Sequence, residues 1–126
     1  MNDAVAVLRW HDALAWVLVG GNAFAGAWAL AAHRWEWLRG RPLWAVIVAA
    51  QLTALAQAIT GTILIARHDR QPANLHALYG FSALIAVGIL YSYRTSSSMR
   101  GKEYLLYGVG SLFIMGLGLR ETLALA

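Results

Sequence analysis

Cysteine is absent from this chain of 126 residues, which excludes disulfides, thiolate metal sites and iron–sulfur clusters held by its own side chains. Charge is scarce too. Asp, Glu, Lys and Arg make up 13% of the residues, roughly half the share of a soluble domain, so the composition points to lipid as the solvent. Proline occurs twice, at Pro42 and Pro72, and neither falls inside a long apolar run. The start, Met1 to Val5, lacks the basic stretch and small-residue cleavage pattern of a removable signal, so the first apolar segment is expected to be retained. Nucleophilic catalysis finds no support: no serine stands in an elbow motif and no carboxylate pair lies within an apolar segment.

What is abundant is apolar. Hydrophobic residues make up 60% of the chain, concentrated in 13–32, 43–66, 77–91 and 104–126. Crossing the hydrocarbon takes about 20 residues at roughly 1.5 Å each, which the first two meet unaided. The third needs its flanks, and the fourth must include Arg120 and Glu121. The expectation is an all-α fold, a transmembrane antiparallel four-helix bundle forming one domain over 1–126. Its spans fall at about 10–33, 42–67, 72–94 and 102–125. Pro42 and Pro72 are expected to open the second and third helices, where a missing N–H costs little.

Orientation follows from lysine and arginine. The first-to-second and third-to-fourth loops hold Arg34, Arg39, Arg41, Arg94, Arg100 and Lys102; the opposite side has Arg9, Arg67, Arg70 and Arg120. The excess places both loops in the cytoplasm and both termini outside. The net charge of +4 bears on this orientation; no basic-aromatic pattern suggests nucleic acid.

Small residues recur every fourth position at Gly21, Ala25 and Ala29 and again at Ala50, Ala54 and Ala58, faces that let helices approach closely and could serve a homodimer. Asn22 follows His11 by eleven residues, roughly 1,100° of helix rotation, so the two share a face that His33 continues. The second segment is the most polar, with Gln51, Thr53, Gln57, Thr60 and Thr62. Asn22, Gln51 and Gln57 more often serve as interhelical hydrogen-bond partners than as ligand contacts.

In the four-span topology His11, His68 and His76 all lie on the outer side, on three separate segments. A b-type haem needs neutral imidazoles on facing helices, small residues beside the ring and cations near its propionates. His11 and His76 suit the axial pair, Gly80, Gly116 and Gly118 the clearance, and Arg120 the propionates. Asn22 and Gln57 complete the expected cofactor surround. His68 and His33 are more simply interfacial anchors. A small metal ion held by His11, His68 and His76 is a weaker reading, since no tight local ligand spacing appears. A quinone cleft using Gln57, Asn22 and Tyr79 is a further one.

The four-span plan with histidines near helix ends on one side resembles the small bacterial membrane cytochromes b. The run His76-Ala77-Leu78-Tyr79-Gly80, with Arg120-Glu121-Thr122, also resembles small four-helix bacterial membrane proteins. The resemblance implies a multi-pass protein of the bacterial inner membrane, with haem b on His11 and His76, exchanging electrons with quinol or a membrane redox complex. One departure matters: two-haem cytochromes b carry ligand pairs on both sides, and here the inner side offers only His33, with Met115 an inferior substitute. The alternative expectation is a non-catalytic accessory or scaffold subunit of a larger membrane complex.

Overall fold

A computed structural model describes residues 2–68, 76–94 and 101–122. Four helices carry the fold: α1 Asn2–Arg34, α2 Arg41–His68, α3 His76–Arg94 and α4 Glu103–Thr122, with a single 3-10 turn over Glu36–Leu38. No strand occurs among the described residues. Alanine- and leucine-rich runs without internal proline favour helix throughout. The expected start of the third helix at Pro72 lies outside the described residues.

The α1–α2 connection is built locally. Gly40 has φ +150°, a conformation closed to most L-residues, and it turns the chain directly into Arg41 and Pro42. Pro42 sits in the first turn of α2, as expected. The end of α1 is closed by the loop that follows. Arg39 donates from Nε to the Ala32 carbonyl at 2.7 Å and from its Nη2 to the His33 carbonyl at 3.0 Å, and Trp28 Nε1 donates to the Leu38 carbonyl at 2.9 Å. Helical carbonyls with no partner inside α1 are thereby satisfied, and a cation stands where the helix dipole favours one.

The helices form a ring in which α1 packs against both α2 and α4, while α3 packs against α4 and, less extensively, α2. Helices α1 and α4 run antiparallel at close range because glycines admit leucines. A Cβ on Gly108 would lie 2.6 Å from Leu30 Cδ2 and 3.0 Å from the Leu30 backbone nitrogen. One on Gly26 would lie 2.8 Å from Leu112 Cγ and 3.1 Å from the Gly108 carbonyl. Leu18 fills the space at Gly118, and Leu90 the space at Gly110. The α1–α2 seam is alanine on glycine: a Cβ on Gly21 would meet Ala50 Cβ at 3.7 Å. Ala25, Ala29, Ala50 and Ala54 are all buried, so most of both small-residue faces is spent inside one chain. A homodimer would need other surface.

Outside, the bundle is apolar. Trp16, Phe24, Leu52, Ile59, Phe81, Ile85, Val109 and Phe113 are exposed, with every helix contributing. Inside, Asn22, Gln51 and Ser111 are buried. Two stretches, Val5–Arg34 and Arg41–Arg67, are long and apolar enough to cross a membrane, and Leu78–Tyr93 is a shorter apolar helix.

Candidate functional site

Among the residues singled out by sequence for cofactor or metal binding, the structure places His11, Gln57, Gly80, Arg120 and Asn22 at two levels of the bundle. At the end where α1 begins, the half-buried His11 ring faces α2. Its Nδ1 lies 2.7 Å from Thr60 Oγ1, and its Cε1 would be 3.4 Å from a Cβ on Gly61. Thr60 in turn directs its hydroxyl at the backbone, with the Ala56 carbonyl at 3.1 Å and the Gln57 carbonyl at 3.2 Å. In the Nδ1–H tautomer His11 donates to Thr60 Oγ1 while the hydroxyl proton goes to a helical carbonyl; in the other tautomer the hydroxyl donates to Nδ1. A half-buried hydroxyl beside one ring nitrogen is the kind of partner that metal-ligating histidines use to fix ring orientation.

Gln57 belongs to this group, its Oε1 lying 3.5 Å from Thr60 Oγ1. Arg120 sits at the same end, exposed, with its guanidinium carbon 4.7 Å from the Tyr79 ring centroid. Gly80 is exposed on the first turns of α3. His68 ends α2 and His76 begins α3, and their side chains lie outside the described residues. Among the described residues no group of three or more His, Cys, Asp or Glu side chains is placed to hold a metal ion.

Asn22 is elsewhere. Eleven residues from His11 along α1 is about 16 Å of rise, which carries it to the middle of the bundle. There its Nδ2 donates to the Leu18 carbonyl at 2.9 Å and to the Ala50 carbonyl of α2 at 3.3 Å. Thr53 Oγ1 donates to that same Ala50 carbonyl. Asn22 is thus an interhelical tie. It is not part of the His11 group.

As a haem site, the His11 end fits in one respect and departs in another. The His11 ring is held in one orientation by Thr60, and Arg120 stands at the same end of the bundle. The clearance expected from Gly118 is taken by Leu18, so that glycine serves the α1–α4 seam. At Gly116 a Cβ would meet nothing within 4 Å.

A second polar group was only partly legible in the sequence. Asn22 Oδ1, both amide atoms of Gln51 and Ser111 Oγ are buried and make no hydrogen bond among the described residues. Leaving such a group unsatisfied costs about 1–3 kcal/mol. Ser111 escaped notice because a lone hydroxyl in an apolar helix usually bonds its own backbone; its position among Tyr107, Ile114 and Gly118 was the available signal. At the far end His33 Nδ1 is also buried without a hydrogen bond.

Comparison of the chain with protein-family models, with curated proteins and with solved structures finds no match.

Proposed function

We propose that this chain is a four-span membrane protein that binds a b-type haem at the end of the bundle where α1 begins, and passes electrons. The membrane part rests on the inverted distribution of polarity: aromatic and branched apolar side chains cover the outside of all four helices while Asn22, Gln51 and Ser111 lie within. In water that arrangement would expose a large apolar surface; in lipid it is the stable one. Trp10 is exposed near one end and Trp35, Trp37, Tyr91 and Tyr93 near the other, as the aromatic belts of a spanning protein would be. Both termini then face outward from a bacterial cytoplasm, on the lysine and arginine count.

The observation that carries the haem is the hydrogen bond between His11 and Thr60, which fixes the orientation of the ring. In this reading His11 is the Nδ1–H tautomer and ligates through Nε2. His76 is the second ligand in this reading, and Arg120 the cation for a propionate. Bound there, the group would supply one-electron chemistry. The chain's own part is to hold the imidazole orientation and to keep water away with the apolar walls of α1 and α2. Protein purified in mild detergent should show a Soret band, natively or after haem is added, and His11→Ala and His76→Ala should each diminish it. A fully folded preparation that takes up no haem ends this reading.

The filled space at Gly118 favours a second reading, a non-catalytic accessory subunit of a larger membrane complex, which needs no clearance for a ring. Unchanged spectra in the two histidine variants, with loss of a co-purifying membrane partner, would support it.

A further inference from the structure

We infer that the bundle interior holds a file of water molecules, ordered by Gln51, Ser111 and Asn22 at mid-depth, along which protons can cross. The inference rests on the membrane placement proposed above and not on the haem.

The placement of the three side chains follows from register. The Trp44 ring of α2 meets Tyr104 and Tyr107 of α4, at centroid distances of 5.3 and 5.2 Å. In an up-and-down ring of four helices, α2 and α4 run in the same direction. Two turns further along both, the same two faces meet again. Seven residues beyond Trp44 is Gln51, and seven beyond Tyr104 is Ser111. Asn22 reaches this level from α1, since it donates to the carbonyl of Ala50, the neighbour of Gln51. Three helices thus bring buried polar side chains to within about a turn of one another along the bundle axis.

Their chemistry selects the occupant. Two amide oxygens accept, the Gln51 NH₂ donates, and the Ser111 hydroxyl does both. Water matches such a mixed set, because it donates and accepts in equal number. A cation would meet the Gln51 NH₂, and an anion the two carbonyl oxygens. Among the described residues no charged side chain is present at this level to balance either.

Polar groups continue in both directions. Toward the His11 end, Thr53 shares the Ala50 carbonyl with Asn22 and is followed on the same face of α2 by Gln57 and Thr60, which are already 3.5 Å apart. Toward the other end, Tyr107 lies one turn from Ser111, buried, and Leu30 packed on Gly108 fixes its height at the last turns of α1. His33 follows there, with Arg39 bonded to its carbonyl and Glu36 and Arg34 exposed nearby. At each hop one O–H bond breaks on the donor water as another forms on the acceptor. One proton therefore enters at Thr60's end for each released at His33's, and no electron moves.

The test is proton flux into vesicles of phosphatidylcholine and phosphatidylglycerol that hold the full chain and a trapped pH-sensitive dye, with potassium and valinomycin clamping the potential. Wild-type vesicles should acidify faster than protein-free ones. Gln51→Leu and Ser111→Ala should return the rate to that of protein-free vesicles, whereas Thr62→Val, an exposed hydroxyl off the file, should not. Ser111→Ala removes a single oxygen and decides the matter should Gln51→Leu fail to fold. Wild-type flux no faster than in empty vesicles, or flux untouched in folded Ser111→Ala protein, overturns the inference. Chain that does not float with the vesicles at all would overturn the membrane placement instead, and a Soret band bears only on the haem.

Discussion

Leu30 of α1 occupies the space that Gly108 of α4 leaves by having no side chain, and the Leu30 backbone nitrogen itself would be 3.0 Å from a Cβ placed there. A rotamer change in Leu30 could move the side chain aside but not the backbone nitrogen.

Gly108→Ala should therefore destabilise the bundle by about 1–3 kcal/mol, the usual cost of overpacking. Gly116→Ala should do the opposite by about 0.5–1 kcal/mol, because nothing lies within 4 Å and alanine is the better helix former. Thermal unfolding in detergent compares the two. Equal effects would mean that α1 and α4 are not this close.

Arg39→Ala removes two donors to the end of α1 together with a guanidinium 4.7 Å from the Tyr104 ring centroid. A loss of about 1 kcal/mol is expected, and Arg39→Lys should recover only part, since one ammonium cannot reproduce the guanidinium fork. Unfolding midpoints of the three proteins report it; an unchanged midpoint for Arg39→Ala would count against the cap.

Thr60→Val keeps the shape of the side chain and deletes the hydroxyl that meets His11 Nδ1. In the haem reading, affinity should fall about 10–100-fold, as for other outer-sphere partners of ligating histidines. Thr62→Val, whose hydroxyl bonds the Ala58 carbonyl on an exposed face, should leave haem affinity unchanged. Haem titrations followed by absorbance compare them, and identical affinities would remove Thr60 from the site.

Because the chain has no cysteine, single thiols report topology without background. Val5→Cys should react with an impermeant maleimide applied to intact cells with the outer envelope opened. Glu36→Cys and Lys102→Cys should react only after the inner membrane is breached. The reverse pattern would invert the orientation.

Four helices were readable because apolar runs and their interruptions are local properties of the chain. Pro42 marked a helix start for the same reason. The faces were readable in part: Gly21 and Ala50 belonged to separate small-residue stripes, and the structure sets one on the other. Which helix each stripe meets was not readable, because periodicity gives a direction around one axis and says nothing of the neighbour. That is why Gly118 read as room for a ring when it holds Leu18, and why His11 and Asn22, one face in sequence, serve separate groups. Thr60 lies 49 positions from His11, and only the pairing of α1 with α2 brings them together.

The near-touching of Gly26 and Gly108 has a bearing on how this molecule can change shape. Neither α1 nor α4 can roll about its axis without driving a leucine into a peptide group, so the two behave as a single strut. Any rearrangement that opens a path or admits a partner falls instead to α3, whose hold on α2 is slight.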